Sequence, residues 1–200
     1  MRPSLIDPQG GMLSPEAEEA MMAYLALLSK WSKAYNLTAI TAPDQMITHH
    51  LLDSLSIAPW ITGTRILDVG TGAGLPGIPL AIYYPEKSFV LLDSIGKKTR
   101  FLTQVARELG LQNVQVVQSR IEDYETENAF AMIVSRAVMA ASKLLTQIRG
   151  VSDQHTRILM MKGSYPHHEL DALTVPYVVE PLTVPGLTAE RHALILQGSL

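Results

Sequence analysis

The sequence is poor in several features, and each scarcity narrows what the protein can be. It has no cysteine, which excludes disulfide bonds and thiolate metal sites. It has no run of 18 uninterrupted apolar residues, so no membrane-spanning helix is predicted. Its first 20 residues lack the apolar segment of a secretory signal, and we expect a cytoplasmic protein. Charged residues make up 18% and apolar residues 47% of the 200 residues, which indicates a globular fold.

The charge is small overall but uneven along the chain. The net charge of −3 does not by itself indicate a protein that binds nucleic acid. Between Ser94 and Arg107, however, there are four cations and no acid, and between Phe130 and His168 five cations face one acid, Asp153. The sequence can therefore form a basic face on an acidic protein.

From about residue 60, short apolar segments alternate with helical ones. Strands are predicted at Arg65–Val69, Ser88–Leu92, Val114–Val117, Phe130–Ser135 and Arg157–Met161, with a closing antiparallel pair at Val175–Val179 and His192–Leu196. Helices are predicted at Pro76–Tyr83, Lys97–Leu109 and Ala140–Arg149. Apolar strands separated by helices are typical of a mostly parallel sheet covered on both faces. We therefore predict an α/β, Rossmann-like domain over residues 61–200.

Residues 1–60 are predicted to form a helical extension. Ser14, Pro15 and Glu16 have the chemistry of a helix start. One apolar stripe follows at helical spacing: Met21, Tyr24, Leu28, Trp31 and Tyr35. A second helix is predicted from Pro43 to Ile57. His49 and His50 fall within it and, as helix neighbours, share no ligand face, so we expect no metal site there.

The stretch from Arg65 to Ile82, RILDVGTGAGLPGIPLAI, holds four glycines directly after the first strand. Ligands of such sheets bind at the carboxyl ends of the strands, where this loop lies. The segment 72–77 matches the G-x-G-x-x-G pattern of dinucleotide sites. The segment 68–74 matches D-x-G-x-G-x-G, the loop of S-adenosylmethionine (SAM) methyltransferases. A tight turn without a ligand is a third interpretation.

Electrostatics favours SAM over a dinucleotide at this loop. The carboxylate of Asp68 would repel a pyrophosphate but attract the ammonium and sulfonium of SAM. Glycines such as Gly70 and Gly72 let the backbone approach a ligand closely. Asp93 ends the second strand, where a carboxylate can accept hydrogen bonds from a ribose, although this also fits NAD. Residues 120–123 follow the third strand, where adenine is commonly held.

Eight segments give the sequence a close resemblance to one family. They are NLTAI (36–40), HLLDSL (50–55), DVGTGAGLPGIPLAI (68–82), LLDSIGKKTRFL (91–102), SRIE (119–122), SRA (135–137), MKG (161–163) and ERH (190–192). The chain resembles the RsmG (GidB) family of guanine-N7 methyltransferases of bacterial small-subunit ribosomal RNA. The resemblance implies a SAM site that includes Gly70, Leu75, Ile121, Glu122 and Arg136. Two positions depart from the family: Ala131 replaces a usual acid, and the tail ends QGSL instead of with lysines.

Six cations are candidates for binding RNA. They are Lys97, Lys98, Arg120, Arg136, Lys162 and Arg191. Most follow the ends of predicted strands and so belong to one edge of the sheet, where they would contact phosphates. Two other interpretations remain open: the cations of the helix at Lys97–Leu109 form a solvated face, or Arg136 forms a salt bridge within a loop.

The resemblance implies methyl transfer from SAM to N7 of one guanine in 16S ribosomal RNA. The substrate would be the small subunit or a late precursor, and the protein would be a monomer without a metal. Guanine N7 carries a free lone pair, so we expect no general base and name no catalytic residue. Two alternatives stay open: an NAD-dependent oxidoreductase, and a non-catalytic ribosome-assembly protein that keeps SAM as a structural ligand.

Overall fold

The computed structural model describes residues 13–136 and 139–197, and its centre is a seven-stranded sheet. The strands are β1 (Arg65–Val69), β2 (Ser88–Asp93), β3 (Val114–Gln118), β4 (Met132–Arg136), β5 (Arg157–Lys162), β6 (Tyr177–Pro181) and β7 (His192–Gln197). Their order is β3-β2-β1-β4-β5-β7-β6. Strands β1 to β5 pair in parallel, whereas β7 is antiparallel to both β5 and β6. The Rossmann-like sheet and its closing antiparallel pair are thus confirmed.

The predicted helices are present to within a few residues, and one short helix, the last, was not predicted. They are α1 (Pro15–Tyr35), α2 (Pro43–Met46), α3 (Asp53–Leu55), α4 (Gly77–Tyr83), α5 (Gly96–Glu108), α6 (Ala141–Gln147) and α7 (His167–Leu170). A π-helical segment, Ile47–Leu52, joins α2 to α3, so that the predicted second helix is one helical stretch with a widened middle. Short 3₁₀ turns lie at Ala58–Trp60 and Ile121–Asp123.

The N-terminal helices share a hydrophobic cluster with one face of the sheet. Helix α1 begins as predicted, because the Ser14 hydroxyl accepts a hydrogen bond from Ala17 N at 3.1 Å. Further along, the fully buried Tyr24 donates its hydroxyl proton to Ala73 O at 2.8 Å. Trp31 packs against Phe101 of α5 with 5.6 Å between ring centroids. The predicted division at residue 60 therefore separates segments of sequence that pack together in space.

Ala137 of the SRA segment and residues 198–200 of the QGSL tail lie outside the described residues. Within the described part, no helix combines the length and apolar character needed to cross a membrane.

Candidate functional site

A cavity of about 520 Å³ lies at the carboxyl ends of β1, β2, β3 and β4. The loop after β1 forms its floor, and its sides come from the residues that follow β2 and β3, from Arg136, and from Met139 and α6. Leu37, Thr38 and His50 of the N-terminal extension complete the wall. A volume of this size is typical of sites for small molecules and cofactors.

The glycine loop presents bare backbone to the cavity at one position and packs tightly at another. Gly70 and Gly72 have φ angles of 66° and 63°, a conformation that favours glycine. A Cβ added at Gly72 would meet no atom closer than 3.9 Å, so this face is open. A Cβ at Gly74, by contrast, would lie 2.6 Å from Ile78 and 2.7 Å from Leu102. Gly72 therefore suits a ligand, whereas Gly74 serves the fold. Leu75, also predicted for the cofactor, lines the cavity.

Asp68 is placed behind this loop instead of at the cavity wall. Its carboxylate is fully buried, and Oδ2 accepts hydrogen bonds from Thr71 Oγ1 at 2.6 Å and from Gly77 N at 2.9 Å. Oδ1 has no hydrogen-bond partner in the part of the chain that the structure describes. Burial raises the pKa of Asp68 to about 6. The sequence predicted a direct attraction to cationic SAM, whereas these contacts show a carboxylate that holds the loop in shape.

Asp93 does line the cavity, at the end of β2. Its Oδ1 accepts from Ile95 N at 2.9 Å, and its Oδ2 accepts from Gly72 N at 3.0 Å and from Lys98 Nζ at 3.2 Å. An ionised carboxylate can accept about four hydrogen bonds, which leaves one position for a ribose hydroxyl. Asp93 thus joins the glycine loop to the start of α5 and still faces the ligand space.

The 3₁₀ turn after β3 brings three predicted residues to the cavity together: Arg120, Ile121 and Glu122. Ile121 is buried against the core. The Glu122 carboxylate accepts from Gln147 Nε2 at 3.3 Å and lies 3.9 Å from Arg120 Nη1, a partly exposed pair. This wall offers an apolar surface and backbone groups beside a carboxylate, which suits a purine base.

Arg136 reaches the cavity from the tip of β4, and its partner is one that the sequence did not reveal. Its Nη1 donates to Asp53 Oδ2 at 3.0 Å and to His49 O at 3.1 Å. The other oxygen of Asp53 accepts from Arg191 Nε at 2.8 Å. Asp53 was visible only as part of the HLLDSL segment. Arg136 therefore forms a salt bridge, although with a distant helix and not within a loop as the alternative had it, and it also faces the ligand space.

His50 is a further cavity residue that sequence reasoning did not assign. Its Nε2 shares a hydrogen bond with Thr38 Oγ1 at 2.9 Å, and Nδ1 has no partner within the described residues. Burial, assisted by the charge of Arg136, lowers the pKa of His50, so the ring is neutral at neutral pH. The described residues bring together no group of three side chains that could hold a metal ion.

The six predicted RNA-binding cations differ strongly in how free they are. Lys98, Arg136 and Arg191 are paired with Asp93 or Asp53, and Lys98 lines the cofactor cavity. Lys162 is largely buried: its Nζ bonds both oxygens of Glu169 at 2.7 and 2.8 Å, and Glu169 also accepts from Ala141 N. Lys97 forms no ion pair with a described residue, and its Nζ donates to Tyr35 O. Arg120 is the one exposed side chain of the six, and Lys97 is half-buried but has no acidic partner among the described residues.

The departure at Ala131 lies away from the cavity. Ala131 directly precedes β4 and bonds through its amide to Arg65 O, at the amino end of the sheet. The cavity is at the opposite end of the strand, beyond Arg136. An acid at this position would not reach the ligand, so its replacement by alanine does not argue against catalysis.

The donor set fits SAM better than a pyrophosphate. Dinucleotide sites offer free backbone N–H groups at the glycine loop and the following helix. Here Gly72 N already donates to Asp93 and Gly77 N to Asp68, so a phosphate would meet carboxylates instead of free donors. The cavity suits a nucleoside that has no phosphate and carries a cationic group, as SAM does. The features that favour it are the open face of Gly72, the spare acceptor site of Asp93 and the apolar Ile121.

Comparisons with known proteins agree with this geometry. The family model "GidB: rRNA small subunit methyltransferase G" matches residues 17–195. The ribosomal RNA small subunit methyltransferase G of Pseudomonas syringae pv. syringae (strain B728a) is 52% identical over 188 residues, which cover 92% of this chain and 88% of that protein. The protein of the same name from Pseudomonas aeruginosa (strain UCBPP-PA14) is 51% identical over 195 residues, covering 96% and 91%.

Solved structures share the fold at low sequence identity. A SAM-dependent methyltransferase from Aquifex aeolicus aligns with a TM-score of 0.60 at 16% identity, over 89% of this chain and 98% of that one. Aeropyrum pernix fibrillarin, solved with bound SAM, aligns with a TM-score of 0.55 at 12% identity, over 69% and 68%. The structures support the methyltransferase fold, and the sequence match extends over nearly the whole chain, which therefore belongs to the rRNA small subunit methyltransferase G family.

Proposed function

We propose that this protein transfers a methyl group from SAM to N7 of one guanine in 16S ribosomal RNA, acting as a cytoplasmic monomer on the small subunit or its late precursor. The observation that carries the proposal is the family match over residues 17–195, which includes every element of the cavity. The small-subunit RNA is the substrate class named for the relatives, and the guanine N7 position comes from the resemblance of the eight sequence segments.

Each part of SAM has a place among the cavity residues. The backbone at Gly70 and at the open face of Gly72 accommodates the amino-acid part, and Asp93 accepts hydrogen bonds from the ribose. Ile121 and Glu122 flank the adenine, and Leu75 contributes an apolar side chain to the wall of the cavity. Asp68 acts on the same ligand through the loop that it anchors. When bound, SAM supplies an electrophilic methyl group.

The proposed reaction needs no general base from the protein. Guanine N7 has an in-plane lone pair that is unprotonated at neutral pH, and its methylation releases no proton. The neutral His50 and the fully buried Asp68 are therefore not required to accept one. The work of the chain is to hold the target base in line with the methyl group and to exclude water from it.

RNA would approach over the rim of the cavity. The exposed Arg120, loosely paired with Glu122, and Lys97, which forms no ion pair with a described residue, would meet phosphates, while Lys98 and Arg136 lie nearer the cofactor. Lys162, tied to Glu169, supports the start of α6 instead and contributes its charge only from within an ion pair. The RNA contact therefore uses fewer free cations than the six candidates in the sequence.

Transfer of a labelled methyl group tests the proposal. Small subunits from cells without this modification are incubated with the protein and SAM carrying a tritiated methyl group, and we expect label in 16S ribosomal RNA. Subunits that already carry the modification are the matched control and should accept no label. SAM binding without transfer would support the assembly-protein alternative, and binding of NADH in place of SAM would support the oxidoreductase.

A further inference from the structure

The strongest feature outside the cofactor contacts is a charge cluster formed by Asp53, Arg136 and Arg191. The Asp53 side chain is 4% exposed and bonds one arginine with each oxygen: Arg136 Nη1 at 3.0 Å and Arg191 Nε at 2.8 Å. The arginine side chains are 23% and 22% exposed. The cluster thus keeps one net positive charge at a partly open position beside the cavity.

The helical stretch around Asp53 is shaped to hold this cluster. The Asp53 amide donates to Thr48 O and His50 O, whereas α-helical spacing would pair it with His49 O. His49 O instead accepts a hydrogen bond from Arg136 Nη1 at 3.1 Å. A π-helical turn within an α-helix often marks a functional site, and here it coincides with the residues that hold the arginine.

Donors remain on both guanidinium groups. Within the described residues, Nε and Nη2 of Arg136 have no hydrogen-bond partner, and Nη2 of Arg191 has none either. A guanidinium fork matches the oxygens of a phosphate, and binding through two such forks requires that they be held at a fixed separation. Arg136 lines the cavity, so a phosphate bound by this cluster would lie next to the target nucleotide.

We propose that Asp53 is a positioning residue that holds Arg136 and Arg191 side by side as a two-arginine site for an RNA phosphodiester next to the target guanine. The proposal rests on the proposed function for its ligand. It differs from simple charge attraction, since Asp53 lowers the local positive charge and yet is expected to strengthen RNA binding.

The variant Asp53→Asn separates positioning from charge. It adds one net positive charge beside the cavity, so counterion release alone would tighten RNA binding. Positioning predicts the opposite, because the two arginines bond different oxygens of Asp53. In asparagine one of these positions becomes an NH₂ group that cannot accept, and the remaining oxygen bonds its arginine without the ion pair. We expect the Kd for small subunits to rise about tenfold, with the Kd for SAM changing less than about threefold. Asp44→Asn is the matched control: it makes the same charge change on an exposed side chain of α2 that forms no ion pair with a described residue.

Equilibrium binding to unmodified small subunits is measured over about 50 to 200 mM salt, together with methyl transfer and SAM calorimetry. Weaker subunit binding by Asp53→Asn, with Asp44→Asn unchanged or slightly tighter, supports the proposal. Unchanged or tighter binding by Asp53→Asn overturns it. Because binding is measured apart from turnover, a native protein that binds subunits but transfers no methyl group refutes the proposed function and not this inference.

Arg191→Lys decides the matter if Asp53→Asn does not fold. Arg191 lies just before β7 and is partly exposed, so its replacement has little effect on the core. Lysine keeps the charge but loses the fork geometry. If Arg191→Lys weakens subunit binding about as much as Arg191→Ala does, geometry matters and the proposal stands. If Arg191→Lys binds as the native protein does, only charge matters and the proposal is wrong.

Discussion

Replacing Asp68 by asparagine and by alanine asks how this buried carboxylate supports SAM binding. Both of its hydrogen bonds, from Thr71 Oγ1 and from Gly77 N, end on the same oxygen, Oδ2. The amide oxygen of asparagine can occupy that position and accept both, while its NH₂ takes the place of Oδ1. Alanine can accept neither. If Asp68 acts by shaping the loop, the two variants should therefore differ.

The magnitude follows from the two contacts. A hydrogen bond to a charged group contributes about 1.5–3 kcal/mol, so loss of both weakens the folded loop by about 3 kcal/mol or more. If about half of this free energy is lost from the loop conformation that binds SAM, the Kd for SAM rises about tenfold. We therefore expect Asp68→Ala to weaken SAM binding at least about tenfold and Asp68→Asn by less than about threefold.

Isothermal titration calorimetry at pH 8 measures both affinities, since Asp68, with a pKa of about 6, is ionised there. Circular dichroism confirms that each variant is folded. Equal, large losses in the two variants would refute the loop account. That result would mean that the negative charge itself attracts the cationic cofactor, as the sequence first suggested.

Further predictions concern the glycine loop, pH and the two lysines of α5. Gly72→Ala adds a methyl group on the open face and should weaken SAM binding more than it destabilises the fold. In Gly74→Ala the added methyl group meets side chains at 2.6 and 2.7 Å and should lower the free energy of unfolding by about 2 kcal/mol or more. Calorimetry and urea unfolding compare the two variants, and the reverse pattern would contradict the assignment. Because burial raises the pKa of Asp68 from 3.8 to about 6, its stabilising contribution is complete below pH 3.8 and is lost as the pH rises through about 6. Asp68→Asn should therefore gain up to about 3 kcal/mol of stability relative to the native protein between pH 4 and pH 8, and a constant difference across that range would show that Asp68 does not titrate. Lys97→Ala should leave SAM affinity unchanged and reduce the log–log salt slope of RNA binding by about one unit. Lys98→Ala should alter SAM affinity as well, because Lys98 pairs with Asp93 at the cavity. Identical behaviour of the two variants would contradict the different roles assigned to these lysines.

The fold and the floor of the site were predictable because their signals are local. The strand Arg65–Val69 is an apolar run, and the glycines that follow it mark a turn with unusual backbone angles. Parallel strands place their carboxyl ends at one edge, so Asp93, residues 120–122 and Arg136 converge without any further information. These residues do meet at the cavity.

Ion pairing was not predictable, because the partners are far apart in sequence. Asp53 lies 83 residues from Arg136 and 138 from Arg191, and no local pattern connects them. The same holds for the orientation of Asp68, since a strand tip has two faces and only packing selects the inner one. The number of cations in the sequence therefore overstates the positive charge that is free to bind RNA. Lys162 is an example, because it forms an ion pair with Glu169.

The N-terminal extension is part of the site and not an appendage to it. Tyr24 of α1 bonds the carbonyl of Ala73 in the glycine loop, and His50 and Asp53 come from the second helical stretch. Residues before the sheet thus support both the cofactor loop and the arginine that faces the ligand.

The position of the transferred methyl group is the decisive measurement for the proposed reaction. Ribosomal RNA from subunits treated with the protein and SAM is digested to nucleosides for mass spectrometry, and N7-methylguanine sites are mapped by chemical cleavage at the methylated base. We predict one new 7-methylguanosine in 16S ribosomal RNA and none in subunits treated with the protein alone. A methyl group on a different atom or base, or no methylated nucleoside despite measurable SAM binding, would contradict it.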